Sequence, residues 1–230
     1  MDDDNLIRGM NDYYHRRAPI HDERMSYKSN QQMEALFKPI IELLEPFIVD
    51  KDVLEIACGT GNWTQILTKR ARSVLATDVN QSTLEIARQK EYANPQPRFA
   101  PADAYNLDGV EGAFDTAFMA DWWAHIPKRK LPRFLNDLHQ RLRVSGCVVV
   151  VDMLPYDLPD DETESFDSDG NRIHQRTLPG GGLFSVVKNY PSRQELVDTV
   201  SQFADEFHYW NNRALKRWVL AYRLRQKGLG

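Results

Sequence analysis

The densest chemistry in this chain lies in VLEIACGTGNW, Val53 to Trp63, where a short apolar run enters a Gly-x-Gly turn. A strand that ends in such a turn and continues as a helix brings bare backbone and helix N–H groups to the carboxyl edge of a sheet. A ligand can then approach Gly59 and Gly61 with no Cβ in the way. Asp78 follows seventeen residues after Gly61, at the end of a second apolar run, SVLAT. A carboxylate in that place accepts hydrogen bonds from both hydroxyls of a ribose, so the pattern implies a nucleotide-like ligand. The dinucleotide fingerprint asks for a third glycine three residues after the second. Thr64 stands there instead, and no Gly-Lys-Ser/Thr follows to hold a triphosphate.

Other acidic residues close predicted strands: Asp103, followed by Ala104, and Asp121, at the head of DWWAHIP. Asp121 either touches the ligand or caps the next helix. His125, four residues on, falls where a loop at the carboxyl edge faces a second substrate, and is a candidate general base. The alternative is a histidine bonded to backbone in the turn into a helix. Trp122 and Trp123 have the flat, amphipathic shape of pocket walls, with one of the two expected in the core. Tyr14 and Arg17 share one helical face, placed to close over a ligand or to make surface pairs. Ser165 to Gly170 imitates half of an EF-hand loop, but Ser165 stands at the first ligand position and Arg176 where the bidentate Glu belongs. The six histidines show no paired spacing, so no metal is expected. Cys58 and Cys147 read as small buried hydrophobes.

These residues need a sheet to align them. Val53–Ala57, Ser73–Thr77, Arg98–Ala102, Phe114–Ala120 and the run CVVVVDML read as five strands alternating with helices, the pattern of an α/β, doubly wound, Rossmann-like parallel sheet. Upstream, Met33, Leu36, Phe37, Ile40, Ile41 and Leu44 form a helical stripe that Pro39 is expected to kink or divide. Ser82 with Glu85, and Ser192 with Glu195, are capping-box signatures that open helices. Leu131 to Leu142 predicts a helix stopped by Gly146. Tyr156 to Gly170, with seven carboxylates, reads as a solvated loop. Arg172–Leu178 and Leu183–Tyr190 flank PGGG as arms of a hairpin inserted after strand five. Phe207 and Tyr209, then Trp218, Leu220, Tyr222 and Leu224, alternate with period two and predict a C-terminal antiparallel strand pair.

With these motifs in order, the chain resembles the class I S-adenosylmethionine-dependent methyltransferases. Glu55-x-x-x-Gly59-x-Gly61 resembles their first motif, Asp78 their ribose acid, Asp103-Ala104 the segment that touches the adenine, and Phe114-Asp115 leading to Asp121 their fourth motif. DYYHRRAP resembles the N-terminal helix that folds over the cofactor in bacterial small-molecule methyltransferases. The resemblance implies a seven-stranded, mostly parallel sheet with an N-terminal helical lid. It also implies S-adenosylmethionine as cofactor and S-adenosylhomocysteine as product. The cofactor-binding set is then Tyr14, Arg17, Glu55, Ala57, Gly59, Thr60, Gly61, Asp78, Val79, Asp103, Ala104, Ala120 and Asp121. His125 is the catalytic candidate, and Trp122 with Trp123 the acceptor walls. A sulfonium cation beside an amino acid suits carboxylates and carbonyl oxygens better than phosphate-binding lysines.

Length and charge bound the partners. At 230 residues, against a domain prior of roughly 150, one domain over 1–230 is expected: a helical cap (1–50), cofactor core (51–153), lid insertion (154–190) and closing helix with strands (191–230). Twenty-nine basic against thirty-three acidic residues give a net charge of −4, which disfavours nucleic acid and anionic membrane. The Asn/Asp-Pro-Pro-aromatic motif of nucleic-acid amino methyltransferases is replaced by Ala120-Asp121-Trp122-Trp123. The longest apolar run, Cys147 to Val151, is far below the roughly 18 residues that span a bilayer. Without a visible secretory signal or disulfide framework, a cytoplasmic protein is expected, with a homodimer allowed. The expected reaction is methyl transfer to oxygen or nitrogen of a small-molecule acceptor. Carbon methylation of a quinone-like ring, protein methylation, a nicotinamide-dependent dehydrogenase and a non-catalytic cofactor-binding regulator are the alternatives.

Overall fold

The computed structural model describes residues 2–159, 162–204 and 206–226. Six α-helices are described: α1 (Asp3–Arg17), α2 (Asn30–Ile48), α3 (Asn62–Leu67), α4 (Gln81–Arg88), α5 (Leu131–His139) and α6 (Arg193–Val200). The strands are β1 (Asp52–Ile56), β2 (Ser73–Asp78), β3 (Arg98–Pro101), β4 (Phe114–Ala120), β5 (Leu142–Met153), β6 (Thr163–Phe166), β7 (Arg172–Thr177), β8 (Leu183–Val187), β9 (Glu206–Asn212) and β10 (Arg217–Arg223). Seven form one sheet in the order β3-β2-β1-β4-β5-β10-β9. The first five run parallel, and β10 lies antiparallel to both β5 and β9. This is the expected doubly wound architecture with its C-terminal antiparallel pair.

Both faces of this sheet are dry, which explains why its central strands read as unbroken apolar runs. Along β5, Val148 and Val150 enter one core with α5 and α6, while Val149 and Val151 enter the other with α2 and α3. β10 does the same, with Trp218, Leu220 and Tyr222 on the first side and Val219 and Ala221 on the second. The alternation thus places a side chain in each of two cores.

Three local expectations are corrected. Pro39 does not divide α2, which runs unbroken through Pro39 and Pro46. Both prolines are exposed, so the carbonyls that lose a helical partner face water. Ser82 does not cap α4, whose N-cap is Asn80; its hydroxyl instead meets His15 Nδ1 of α1 at 3.0 Å. The Ser192–Glu195 capping box forms as expected. Gly146 does not end a helix: α5 stops at His139, and Leu142 to Gly146 belong to β5, across from a register shift between Phe114 and Thr116. A Cβ on Gly146 would lie 2.9 Å from the Arg143 carbonyl oxygen, so the bend admits only glycine.

The predicted hairpin is present as β7 and β8, but β6 adds a third, antiparallel strand from within the acidic loop. Every residue of β6 is exposed, which is why no apolar periodicity marks it. Asp160 and Asp161 of that loop lie outside the described residues. α1 packs on this small sheet through Leu6, Met10 and Tyr13 against Ile173, Val186 and Val187, forming a core apart from the two central ones. No helix among the described residues is long and apolar enough to cross a membrane.

Candidate active site

The carboxyl ends of β1, β2, β4 and β5 open into a cavity of about 390 Å³, covered by α1 and by β7 and β8. Ala57 and Asp121, which follow two neighbouring strands, both adopt left-handed backbone, with φ of 52° and 53°. Such a conformation costs a non-glycine residue roughly 1–2 kcal/mol. The strain turns the chain sharply where Ala57, Ala120 and Asp121 line the cavity.

Asp78 organises the glycine turn. Its Oδ2 accepts the Gly59 N–H at 2.9 Å and its Oδ1 accepts the Asn80 N–H at 2.8 Å. Burial pushes its carboxyl above the usual carboxylate range, against the pull of those backbone donors. A carboxylate has about four acceptor positions, so two remain for a ligand. Gly59, Thr60, Asp78 and Val79 all line the cavity, and a Cβ on Gly59 would meet nothing within 4 Å.

Two motif residues do not reach the cavity. Gly61, expected to give a ligand close approach, caps α3 with φ 80°, and a Cβ there would lie 2.5 Å from Tyr92 Oη and 3.0 Å from Ala87 Cβ. Its freedom serves the packing of the turn on α4. Glu55 lies beneath the turn, where its Oε2 accepts the Thr64 hydroxyl at 2.6 Å. Burial raises its carboxyl to about 8, partly offset by that hydrogen bond. Thr64, which stands in for the third glycine of a dinucleotide site, is therefore the internal partner of Glu55.

Asp103 and Ala104 line the far wall beside Tyr105, whose N–H donates to Asp103 Oδ1 at 2.9 Å. The tryptophans separate. Trp122 faces the cavity, whereas Trp123 is a core residue packed edge-on to Trp218 and is removed from the acceptor walls. Asp121 does not cap a helix; its Oδ2 lies 3.6 Å from Arg217 Nη2.

Across the cavity, Tyr14 and His125 meet at 2.8 Å between Oη and Nε2. His125 Nδ1 lies 2.6 Å from the Val187 carbonyl oxygen, which can only accept, so Nδ1 carries the proton. Burial, reinforced by the charges of Lys188 and Arg176, holds the imidazole well below its ordinary pKa. The ring is neutral, and its Nε2 lone pair accepts the Tyr14 hydroxyl. Tyr14 itself is pushed up to about 12 by burial.

Sequence reasoning missed several residues. Asp22 accepts from Thr60 Oγ1 at 2.6 Å and Asn62 Nδ2 at 3.0 Å, and pairs with Lys90 at 2.6 Å. Burial opposes its charge, but hydrogen bonds from His21, Lys90 and Thr60 hold it well below the usual range. It latches the segment after α1 to the glycine turn. Tyr105, Tyr156, Arg176 and Lys188 also line the cavity. Only long-range pairing brings the last two there, so no local spacing could mark them.

Four buried polar atoms of cavity-lining residues have no partner among the described residues: Arg17 Nε, Tyr105 Oη, Asp121 Oδ1 and Trp122 Nε1. Each costs roughly 1–3 kcal/mol unless a ligand or solvent satisfies it. A guanidinium, a carboxylate and the open positions of Asp78 are the partners required by a carboxylate, an ammonium and a ribose diol, so the donor set fits an adenosyl amino acid.

A model described as a methyltransferase domain matches residues 53–146, and one described as tRNA (uracil-5-)-methyltransferase matches residues 6–96. The demethylmenaquinone methyltransferase of Thermus thermophilus is 31% identical over 157 residues, which cover 66% of this chain and 67% of that protein. The chain belongs to the class I S-adenosylmethionine-dependent methyltransferases. A second member, the 2-phytyl-1,4-naphtoquinone methyltransferase of Nostoc punctiforme, is 26% identical over 60% of this chain, and the matched region spans 62% of that relative's length. Among solved structures, the DhpI–SAH complex superposes with a TM-score of 0.76 at 23% identity, covering 95% of this chain and 97% of that one. The DhpI–SAM–HEP complex gives 0.74 at 23% identity, with 94% and 96% covered. These two likenesses concern the fold. Membership of this methyltransferase family makes S-adenosylmethionine the cofactor.

Proposed function

We propose that this chain, read as one domain over residues 1–230, transfers a methyl group to an oxygen or nitrogen of a small molecule. When bound, the cofactor supplies a methyl group already activated by its sulfonium. The observation that carries the reading is the pairing of Gly59 with Asp78 inside a cavity that α1 covers. Asp78 holds the ribose diol through its two open acceptor positions. Val79, Asp103, Ala104 and Tyr105 enclose the base, while Ala57, Gly59, Thr60, Ala120 and Asp121 border the amino-acid arm. Arg17 takes its carboxylate.

Trp122 and Tyr14 exclude water and hold the acceptor in line, an effect that can be worth roughly 7–11 kcal/mol. His125 reaches an acceptor only through the Tyr14 hydroxyl. It orients that hydroxyl, and it receives a proton by that route when the acceptor carries one.

Carbon methylation of a quinone ring is the second reading, favoured by what the Thermus and Nostoc relatives are named for. Against it, the acceptor end of this cavity carries Glu162, Arg176 and Lys188, a charged wall unsuited to an apolar tail. The net charge of −4 and the cover formed by α1 support a small acceptor over nucleic acid. The buried, unpaired Cys58 and Cys147 agree with a cytoplasmic setting. Calorimetry with S-adenosylhomocysteine, followed by label transfer from S-adenosylmethionine to fractionated metabolites, tests the reading. Absence of cofactor-product binding would overturn it.

A further inference from the structure

Lys188 is a buried-stem cation that neither the fold nor the cofactor site accounts for. Its side chain is 3% exposed and lines the cavity. Its nearest anion, Asp152, lies 3.9 Å from Nζ, beyond hydrogen-bond reach. Asp152 is already engaged by backbone, with Oδ2 accepting the Ala124 N–H at 2.9 Å and Oδ1 the Met153 N–H at 2.6 Å. Among the described residues, no acceptor takes any of the three ammonium protons. A cation on a buried stem that opens onto the cavity with no hydrogen-bonded acceptor is a group awaiting a partner.

A second cation faces the same end. Arg176 is 8% exposed and lines the cavity, with Nε 3.2 Å from Glu162 and Nη2 2.9 Å from Tyr156 Oη. Tyr156 and Glu162 thus hold the guanidinium plane in place without using all five of its donors. Lys188 and Arg176 follow from adjacent, antiparallel strands, β8 and β7, and both act on His125. The adenosine half of the cavity, by contrast, is bordered by Asp78 and Asp103.

We propose that the methyl acceptor is a small-molecule oxyanion, a carboxylate or a phosphonate-type oxygen, held by Lys188 and Arg176 and methylated on that oxygen. The proposal rests on the methyltransferase reading and names its substrate class. An oxyanion lone pair forms the new oxygen–carbon bond while the carbon–sulfur bond breaks, its electron pair passing to sulfur. No proton is released, so no base is consumed. That agrees with a Tyr14–His125 pair whose Nε2 is already occupied, and it makes both positioning residues.

The test is calorimetry on enzyme saturated with S-adenosylhomocysteine. The probes share one ring: phenylphosphonate and benzoate as oxyanions, with benzamide, benzyl alcohol and aniline as neutral counterparts. At least one oxyanion is expected to bind about tenfold or more tightly than every neutral probe, and which one does separates tetrahedral from planar recognition. Lys188→Met should erase that preference, a loss of roughly 10- to 1,000-fold for a buried charge contact, while leaving S-adenosylhomocysteine affinity within about threefold. Should that variant fail to fold, Arg176→Gln and the wild-type selectivity carry the same comparison. Equal or tighter binding of the neutral probes overturns the proposal. A collapse of S-adenosylhomocysteine affinity in Lys188→Met also overturns it, by assigning the lysine to the cofactor's own carboxylate. Failure of the wild type to bind S-adenosylhomocysteine would instead sink the methyltransferase reading beneath it.

Discussion

Tyr14 Oη and His125 Nε2 meet at 2.8 Å across 111 residues of sequence, joining α1 to the turn that follows β4. The bond ties the cover of the cavity to its floor at the proposed acceptor end. With its Nε2 lone pair spent on Tyr14 and its Nδ1 on the Val187 carbonyl, the His125 ring is fixed in orientation.

That arrangement gives a quantitative expectation. With an oxyanion acceptor, Tyr14→Phe should lower kcat by about tenfold or less, since only orientation is lost. It should also cost roughly 1–3 kcal/mol of stability by leaving the His125 nitrogen unsatisfied. Steady-state kinetics and thermal melts read both. A fall in kcat of roughly 10²–10⁴ would restore a general-base role to the pair.

Asp78→Ala should weaken S-adenosylhomocysteine binding by about two to four orders of magnitude, as two charge-assisted hydrogen bonds at roughly 1.5–3 kcal/mol each are at risk. The melting temperature should fall as well, because Gly59 and Asn80 lose their acceptor. Wild-type affinity in the variant would remove Asp78 from the site.

The two glycines of the turn should separate by mechanism. Both have positive φ, but a Cβ on Gly61 collides with Tyr92 Oη at 2.5 Å, whereas one on Gly59 meets nothing. In ligand-free melts, Gly61→Ala should therefore cost more than the roughly 1–2 kcal/mol of backbone strain shared by both. Adding Tyr92→Phe should recover part of the difference. Equal melting temperatures for the two alanine variants would refute the packing role of Gly61.

Glu55 predicts a pH dependence. Its folded carboxyl titrates at about 8, against an ordinary value of 4.5, so the native state holds an extra proton between those limits. Stability from this group is full below the ordinary value and is lost as pH rises through the folded one. Glu55→Gln should therefore gain in melting temperature relative to the wild type as pH increases over that window, and the gap should level off above it. A constant gap would mean that Glu55 is ionised throughout.

The legible part of the molecule is the part set by short-range pattern. β1, β2 and β4 were marked by apolar runs ending in Gly or Asp, and the runs are apolar because two cores flank them. Capping boxes show the limit: Ser192 caps its helix, but at Ser82 the same signature loses its hydroxyl to His15 on another element. β6 carries no pattern because no face of it is buried. Lys188 and Arg176 could not be found by spacing, since β7 and β8 reach the cavity only once they fold over α1. Trp122 and Trp123 are chemically alike, and only the turn geometry decides which of them faces the cavity.

The final prediction concerns closure. α1 contributes the buried Leu6, Met10 and Tyr13 to the core it shares with β7 and β8, and each such side chain is worth roughly 1.5–3 kcal/mol. Deleting residues 1–18 would strip that core, so truncation would damage the fold along with the site. A gentler probe is the Asp22 latch, which holds Thr60, Asn62 and Lys90 from the segment after α1. Hydrogen exchange in residues 6–17 and 172–189 should slow when S-adenosylhomocysteine and an oxyanion probe are both bound, as the cover settles on its ligands. Asp22→Ala should speed exchange in residues 18–27 and weaken S-adenosylhomocysteine by about tenfold through lost ordering of the glycine turn, while the β7–β8 sheet keeps its protection. If ligands leave exchange in both segments unchanged, α1 is a fixed wall of the cavity and not a cover that closes on its ligands.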